Sequence, residues 1–214
     1  MKVAILGSGS VGQVLGLGFV AKGHDVVIGS RNPDSETLCA WLSRVGDSSR
    51  SASYAEAAAW SEVAVFVPTW LHAEAVAEAV GADALAGKVV IDVTNPFGTL
   101  PDGTTGLVLP PTDGAGSHLQ RWLPEAHVVK AFNTVGVSLM VDPQLPGGPP
   151  TMPICGDDAD AKAVVSKILL SFGWEPMDLG GIEFSGYLEA LTMVWMRYGR
   201  VTGNWNHAFK MLAG

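Results

Sequence analysis

The stretch KVAILGSGSVGQVLGLGFVAKGHDVVIGSRNPDS, Lys2 to Ser35, decides the fold. Val3 to Leu6 is a short, almost wholly apolar run, which is the pattern of a strand covered on both faces. Gly7, Gly9 and Gly12 follow at G-x-G-x-x-G spacing, Val11 to Lys22 reads as a helix closed by Gly23, and Val26 to Ile28 is a second apolar run that ends at Ser30 and Arg31. A strand that enters such a turn, opens a helix and leads to another strand is the context in which this spacing holds a dinucleotide. Gly7 permits the tight turn, Gly9 lets a pyrophosphate approach the backbone, and Gly12 lets the helix pack on the strand. The helix N-terminus attracts the anion. The alternative is a structural glycine turn with no ligand.

The end of the second strand carries the next piece of chemistry. A fold selective for NAD places Asp or Glu there to accept bonds from the ribose 2'-hydroxyl. This chain has Gly29-Ser30-Arg31. A guanidinium clamps a 2'-phosphate and stacks on adenine, and a hydroxyl donates to the phosphate, so the pattern points to NADP. The competing reading is a solvated surface arginine.

Working outward, Val63 to Val67, Val89 to Val93 and Val128 to Ala131 repeat the short apolar pattern, with helical segments at Ser35 to Val45 and Ala73 to Val80 between strands. Ser53 and Glu56 form a capping box at the head of SYAEAAAW. Right-handed crossovers then predict an α/β chain, a Rossmann-type, doubly wound and mainly parallel sheet. Phe97 to Ser117 is rich in Gly, Pro, Thr and Asp and reads as a loop near the site. After a second Gly/Pro-rich stretch come a strand at Met152 to Cys155, a helix from Asp158 to Phe172, a strand near Glu175 to Asp178 and a helical end from Tyr187 carrying Trp195 and Trp205. The expected organisation is a nucleotide-binding domain over residues 1–138, with residues 139–214 as a small helical extension that completes the sheet edge.

Composition excludes several classes. The 214 residues are 48% hydrophobic and 16% charged, which argues against disorder. A net charge of -8 with scattered basic residues argues against nucleic-acid and anionic-membrane partners. No apolar run approaches a membrane span, and the chain enters a strand directly, so the expected location is cytoplasmic. Cys39 and Cys155 form no C-x-x-C pair, and no metal site is expected.

The pieces GSGSVGQ, IGSRNP, VPTWLHA, VVIDVTNP, VVKAFNTV and PICGDD, with the closing LEALTMVWMRYGR, resemble the NADP oxidoreductases of the coenzyme F420-dependent type. The resemblance implies a Rossmann domain, a homodimer, and hydride transfer between NADP and a deazaflavin, coenzyme F420. It also implies that Ser8, Gly9, Ser10 and Val11 touch the pyrophosphate, that Ser30 and Arg31 hold the 2'-phosphate, with Asn32 following them, and that Val67, Pro68, Thr69 and Trp70 lie beside the nicotinamide ribose. Val137 approaches the nicotinamide, and Asn95, Pro96 and Asn133 complete the cofactor-binding set. Two positions depart from the family pattern. Asn32 to Ser35 supply no second basic residue after Arg31, and the usual Pro-Trp pair is Pro68-Thr69-Trp70.

Acid/base chemistry is thinly represented. His72 is either a proton donor at a strand-to-helix edge or a helix-start histidine with local bonds. Lys130 either polarises a carbonyl or meets an anionic substrate, or else is a solvated or ion-paired lysine. Asn95 either bonds the nicotinamide ribose or caps a turn. The implied partner is a small-molecule hydride acceptor or donor. Two other functions remain open: reduction of a small imine or carbonyl compound by NADPH, and a non-catalytic NADP(H)-sensing module.

Overall fold

Along Lys2–Leu6, strand β1, successive side chains alternate between two cores. Val3 and Ile5 join one cluster and Ala4 and Leu6 the other, all fully buried. This period-two pattern with both faces apolar is what a central parallel strand requires. The computed structural model describes residues 1–213, and Gly214 lies outside the described residues.

Helix α1 (Ser10–Ala21) is followed by β2 (Asp25–Gly29), α2 (Glu36–Val45), β3 (Ser49–Ala52), α3 (Tyr54–Trp60), β4 (Val63–Phe66), α4 (Ala73–Val80) and β5 (Val89–Asp92). A hairpin of β6 (Phe97–Thr99) and β7 (Thr105–Leu107) leads to α5 (Ala115–Trp122) and β8 (His127–Lys130). The chain ends with β9 (Thr151–Gly156), α6 (Ala159–Ser171), β10 (Glu175–Asp178) and α7 (Ser185–Thr202).

Eight strands make one sheet in the order β10-β9-β8-β5-β4-β1-β2-β3. Every pairing is parallel except β8 with β9. The molecule is therefore an α/β, Rossmann-type doubly wound fold, as the strand-helix alternation predicts. Helices α1, α2 and α6 cover one face through Phe19, Trp41 and Leu169, while α3, α4 and α5 cover the other through Ala57, Val76 and Leu119. The predicted capping box is formed, with Ser53 Oγ accepting from the Glu56 N–H and Glu56 accepting from the Ser53 N–H.

Three features differ from expectation. Strand β3 has the polar sequence SRSA, and as an edge strand it needs no continuous apolar run, so periodicity gives no sign of it. The segment 97–117 is not only loop: it holds the β6-β7 hairpin and the first turn of α5. The last helix starts at Ser185 and stops at Gly203, whose φ of +70° is left-handed, so Trp205 lies beyond it. Trp205 instead folds back over Gly199, where an added Cβ would lie 2.6 Å from its ring, and packs 5.5 Å from the Trp195 ring. No helix among the described residues is long and apolar enough to cross a membrane, and no three metal-ligating side chains among them cluster.

Candidate active site

The turn between β1 and α1 is shaped by what a side chain would meet. Gly7 has φ +143°, and a Cβ there would press on the Val67 carbonyl at 2.9 Å. A Cβ on Gly12 would overlap the Gly7 carbonyl oxygen, whereas one on Gly9 would meet nothing within 4 Å. The middle glycine thus leaves open space at the start of α1, whose N-terminus has no side-chain cap and no acidic residue in its first turn. Gln13 Nε2 donates to the Ser8 carbonyl at 3.0 Å and fixes the turn. Ser30 is buried at the end of β2, its Oγ accepting the Asn32 N–H at 3.1 Å and lying 3.4 Å from Ser8 Oγ. Arg31 and Asn32 are exposed beside it, and Arg31 has no ion-pair partner among the described residues.

A cleft of about 450 Å³ opens at the carboxyl ends of β1, β4, β5 and β8, where ligands bind open α/β sheets. It brings together Gly9, Ser10, Val11, Val67 to Trp70, Asn95 and Asn133, as the sequence predicts. Pro96 and Val137 do not line it: Pro96 is buried, and Val137 is exposed at the start of a 3-10 turn. The cleft also takes in Thr94, Phe132 and Met140, which motif reading did not single out.

Amides set one wall of this cleft. Asn95 Nδ2 donates to the Asn133 carbonyl at 3.0 Å, and Asn133 Nδ2 donates to the Leu188 carbonyl at 3.0 Å and to Asn95 Oδ1 at 3.2 Å. Thr192 Oγ1 donates to the Asn133 carbonyl at 3.0 Å and is itself 3.1 Å from Asn133 Nδ2. Asn133 Oδ1 is left buried without a partner. A buried acceptor without a donor costs about 1–3 kcal/mol, so a ligand N–H or O–H is the fitting complement. Phe132, with φ +61° and its N–H directed at Met152 Sδ, presents a strained backbone at the same wall.

Lys130 lies behind the cleft, not in it. Its ammonium is fully buried and bonded to Asp92 Oδ2 at 2.7 Å, Glu189 Oε1 at 2.7 Å and the Thr94 carbonyl at 2.6 Å. All three protons are engaged, which realises the ion-paired alternative and leaves none for a substrate. Burial alone would lower its pKa, but the charges of Asp92 and Glu189 and their hydrogen bonds hold it above the ordinary lysine range. Glu189 reaches from α7 to the N-terminus of α5, accepting from the Ala115 N–H at 3.1 Å and the Gly116 N–H at 3.4 Å. Nearby, burial pushes the Cys155 thiol up to about 12.

A second cavity of about 600 Å³ shares Trp70, Leu71 and Phe97 with the first. Trp70 stacks on Trp122 with centroids 5.6 Å apart and an interplanar angle of 22°, and His118 meets Trp70 edge-on at 5.7 Å. His118 Nε2 lies 3.1 Å from Asp113 Oδ2, and Arg121 is 2.9 Å from Asp113 Oδ1. His118 was not singled out by the sequence, and the histidine that was, His72, is exposed at the start of α4 and lines neither cavity.

A family model described as NADP oxidoreductase coenzyme F420-dependent matches residues 2–96. The F420-dependent NADP reductase of Methanothermobacter marburgensis is 30% identical over 203 residues, spanning 90% of this chain and 89% of that protein. The chain belongs to this family. It is accordingly an NADP-dependent oxidoreductase. The rat metalloreductase STEAP3 is 32% identical over 195 residues, but this chain spans only 36% of its length. A crystal structure from Arthrobacter sp. FB24, of a protein assigned provisionally as an F420-dependent NADP reductase, is 36% identical with TM-score 0.93 and full coverage of both chains. An Aspergillus terreus reductive aminase solved with NADPH shares the fold at TM-score 0.67 and 19% identity.

Replacing Lys130 by Met should cost about 3–5 kcal/mol in urea unfolding, because two buried carboxylates lose their cation. Adding Asp92→Asn and Glu189→Gln to the Lys130→Met change removes those unpaired charges and should recover part of the loss. No recovery in the triple variant would show that the carboxylates are not the source.

Proposed function

We propose that the protein transfers hydride between NADP(H) and a planar aromatic acceptor, with a deazaflavin of the F420 type as the first candidate. The observation that carries this reading is the second cavity: it opens beside the nucleotide cleft, shares Trp70 and Phe97 with it, and is walled by the stacked Trp70 and Trp122. Stacked indoles favour a flat π-system and exclude water. The relatives named for F420-dependent NADP reduction support the same choice.

In this reading the open face of Gly9, with Ser10 and Val11, receives the pyrophosphate, and Gly7, Ser8 and Gly12 shape that turn. Ser30, Arg31 and Asn32 hold the 2'-phosphate. Val67 to Trp70, Asn95 and Asn133 surround the nicotinamide end, where the unpartnered Asn133 Oδ1 accepts from a ribose hydroxyl or the carboxamide, while Pro96 and Val137, which do not line the cleft, make no contact in this reading. NADPH supplies the hydride when bound, and the protein orients both rings and keeps water out. The nucleotide is assigned to residues 1–138, with residues 139–214 widening the sheet and closing the site from α7.

Mixing the protein with NADPH and an 8-hydroxy-5-deazaflavin chromophore should oxidise the nucleotide at a rate that saturates with chromophore. Absence of oxidation with the deazaflavin, alongside turnover of an imine or carbonyl panel, would transfer the assignment to those substrates. Arg31→Ala should weaken NADP binding about 10- to 150-fold and leave NAD nearly unchanged, since only the former loses a charge-assisted bond. Equal losses for both nucleotides would remove Arg31 from the phosphate site.

The homodimer belongs to the same proposal. Phe184, Tyr187, Val194, Tyr198 and Val201 are exposed along α7, with Val201 at 66%, and Leu191 completes their three-four spacing. That spacing is the stripe by which a helix pairs with a copy of itself. Light scattering at micromolar concentration should return twice the chain mass of 22.3 kDa, and Val194→Glu should reduce it to one chain.

A further inference from the structure

We propose that His118, oriented by Asp113, is the proton donor for the acceptor. The idea rests on the acceptor reading above. No residue lining the nucleotide cleft titrates, and the lining of the adjoining cavity includes two titratable groups, Glu74 and His118. Glu74 is an exposed carboxylate on α4 with no hydrogen-bond or ion-pair partner among the described residues to orient it. Lys130 is fully engaged behind the wall, and His72 lies outside both cavities. His118 is the remaining candidate, and histidine is the side-chain type suited to proton exchange near neutrality.

Its setting suits the task. Asp113 Oδ2 lies 3.1 Å from Nε2, so the carboxylate fixes the ring, while Nδ1 makes no hydrogen bond with the described residues. Asp113 is itself anchored by Arg121 at 2.9 Å, and that hydrogen bond, with the nearby His118, keeps its carboxyl below the ordinary aspartate range. The ring stands edge-on to Trp70, the residue common to both cavities, and to Trp122 at 5.9 Å. The charged groups that face it are Asp113 from the preceding loop, Arg121 on its own helix and Glu74 across the cavity.

The acceptor class follows from the chemistry. Bound NADPH gives up a hydride with its electron pair to an acceptor carbon of a C=N, C=O or conjugated C=C–C=N group. The displaced π pair moves to the heteroatom. That atom forms a bond to the proton of His118 Nδ1–H as the N–H bond breaks and its electrons stay on the ring. Neutral His118 then regains a proton from solvent, and the balance is NADPH, acceptor and one proton giving NADP and the dihydro product. The deazaflavin ring and a cyclic imine both belong to this class.

The test uses the full chain with two probes, the 8-hydroxy-5-deazaflavin chromophore and 2-methyl-1-pyrroline. His118→Gln should lower kcat with a reduced probe about 100-fold and remove the fall in rate at alkaline pH, while the NADPH Kd stays within about twofold. Asp113→Asn should lower kcat while the NADPH Kd stays within about twofold, because the ring loses the carboxylate that orients it. A His118→Gln enzyme that keeps turnover within about threefold, or keeps the limb, overturns the proposal. A second readout needs no turnover. In histidine-labelled protein loaded with NADP, the His118 ring resonance, assigned by its loss in His118→Gln, should shift when either probe is added. An unmoved resonance with both probes overturns the proposal. Wild-type protein that reduces neither probe would defeat the acceptor reading, while this resonance still decides the placement of His118.

Discussion

The site depends on one buried ionic junction. Asp92 at the end of β5, Lys130 at the end of β8 and Glu189 on α7 meet fully buried, and a pair of carboxylates shares a single ammonium. Such a junction is unfavourable unless every lone pair and proton has a partner. The partners are therefore part of the architecture: Thr94 gives its N–H and hydroxyl to Asp92 Oδ1 at 2.9 and 2.7 Å, and the first turn of α5 gives two N–H groups to Glu189. The positive end of α5 offsets the surplus negative charge. Two strand ends and two helices are locked into one geometry, and the loops leaving those strands, Val93 to Phe97 and Ala131 to Val135, line one side of the cleft.

Close helix packing makes that junction possible. Gly114 precedes α5 and offers no capping side chain, so the capping is delegated to Ser185 and Glu189 from α7, with Glu189 74 residues further along the chain. Carboxylate and hydroxyl reach the α5 amides only because the helices approach backbone to backbone. A Cβ on Gly114 or Gly116 would fall within 3 Å of Ser185 or Gly186 atoms. Small residues at this crossing have the same role as Gly12 at the first turn.

The strand-turn-helix unit proposed for the nucleotide was legible as structure because its signals are local. Gly7, Gly9, Gly12, Ser30 and Arg31 sit within one strand-turn-helix-strand unit, where spacing alone fixes geometry. The strands with continuous apolar runs were legible for a similar reason, since burial on both faces dictates composition. What escaped was non-local or polar. Strand β3 is an edge with no apolar run. Helix α5 opens on glycines and has no cap of its own, so its start signal lies in α7. The role of Lys130 could not be chosen from VVKAFN, because its two counter-charges are 38 residues earlier and 59 residues later. Trp205 was read into the helix because the aromatic pattern continues past Gly203, and the left-handed turn there breaks the helix first.

This division has a consequence for specificity. The first cleft joins Gly9, Ser10, Asn95 and Asn133 to apolar side chains such as Val67, Phe132 and Met140, and in the proposed reading it takes the dinucleotide. The neighbouring cavity is built from side chains on α4, α5 and the β6-β7 hairpin: Trp70 beside α4, Phe97 and Val108 around the hairpin, and His118 and Trp122 on α5. The hairpin segment can exchange residues without disturbing the sheet, because β6 and β7 pair only with each other. The α5 residues have less freedom, since the helix is held by Glu189 and its inner face packs through Leu119. If the proposed reading holds, a change of acceptor is expected to arise in the hairpin and at Trp70, with His118 on α5 held fixed by the same buried junction that positions the loops of the first cleft.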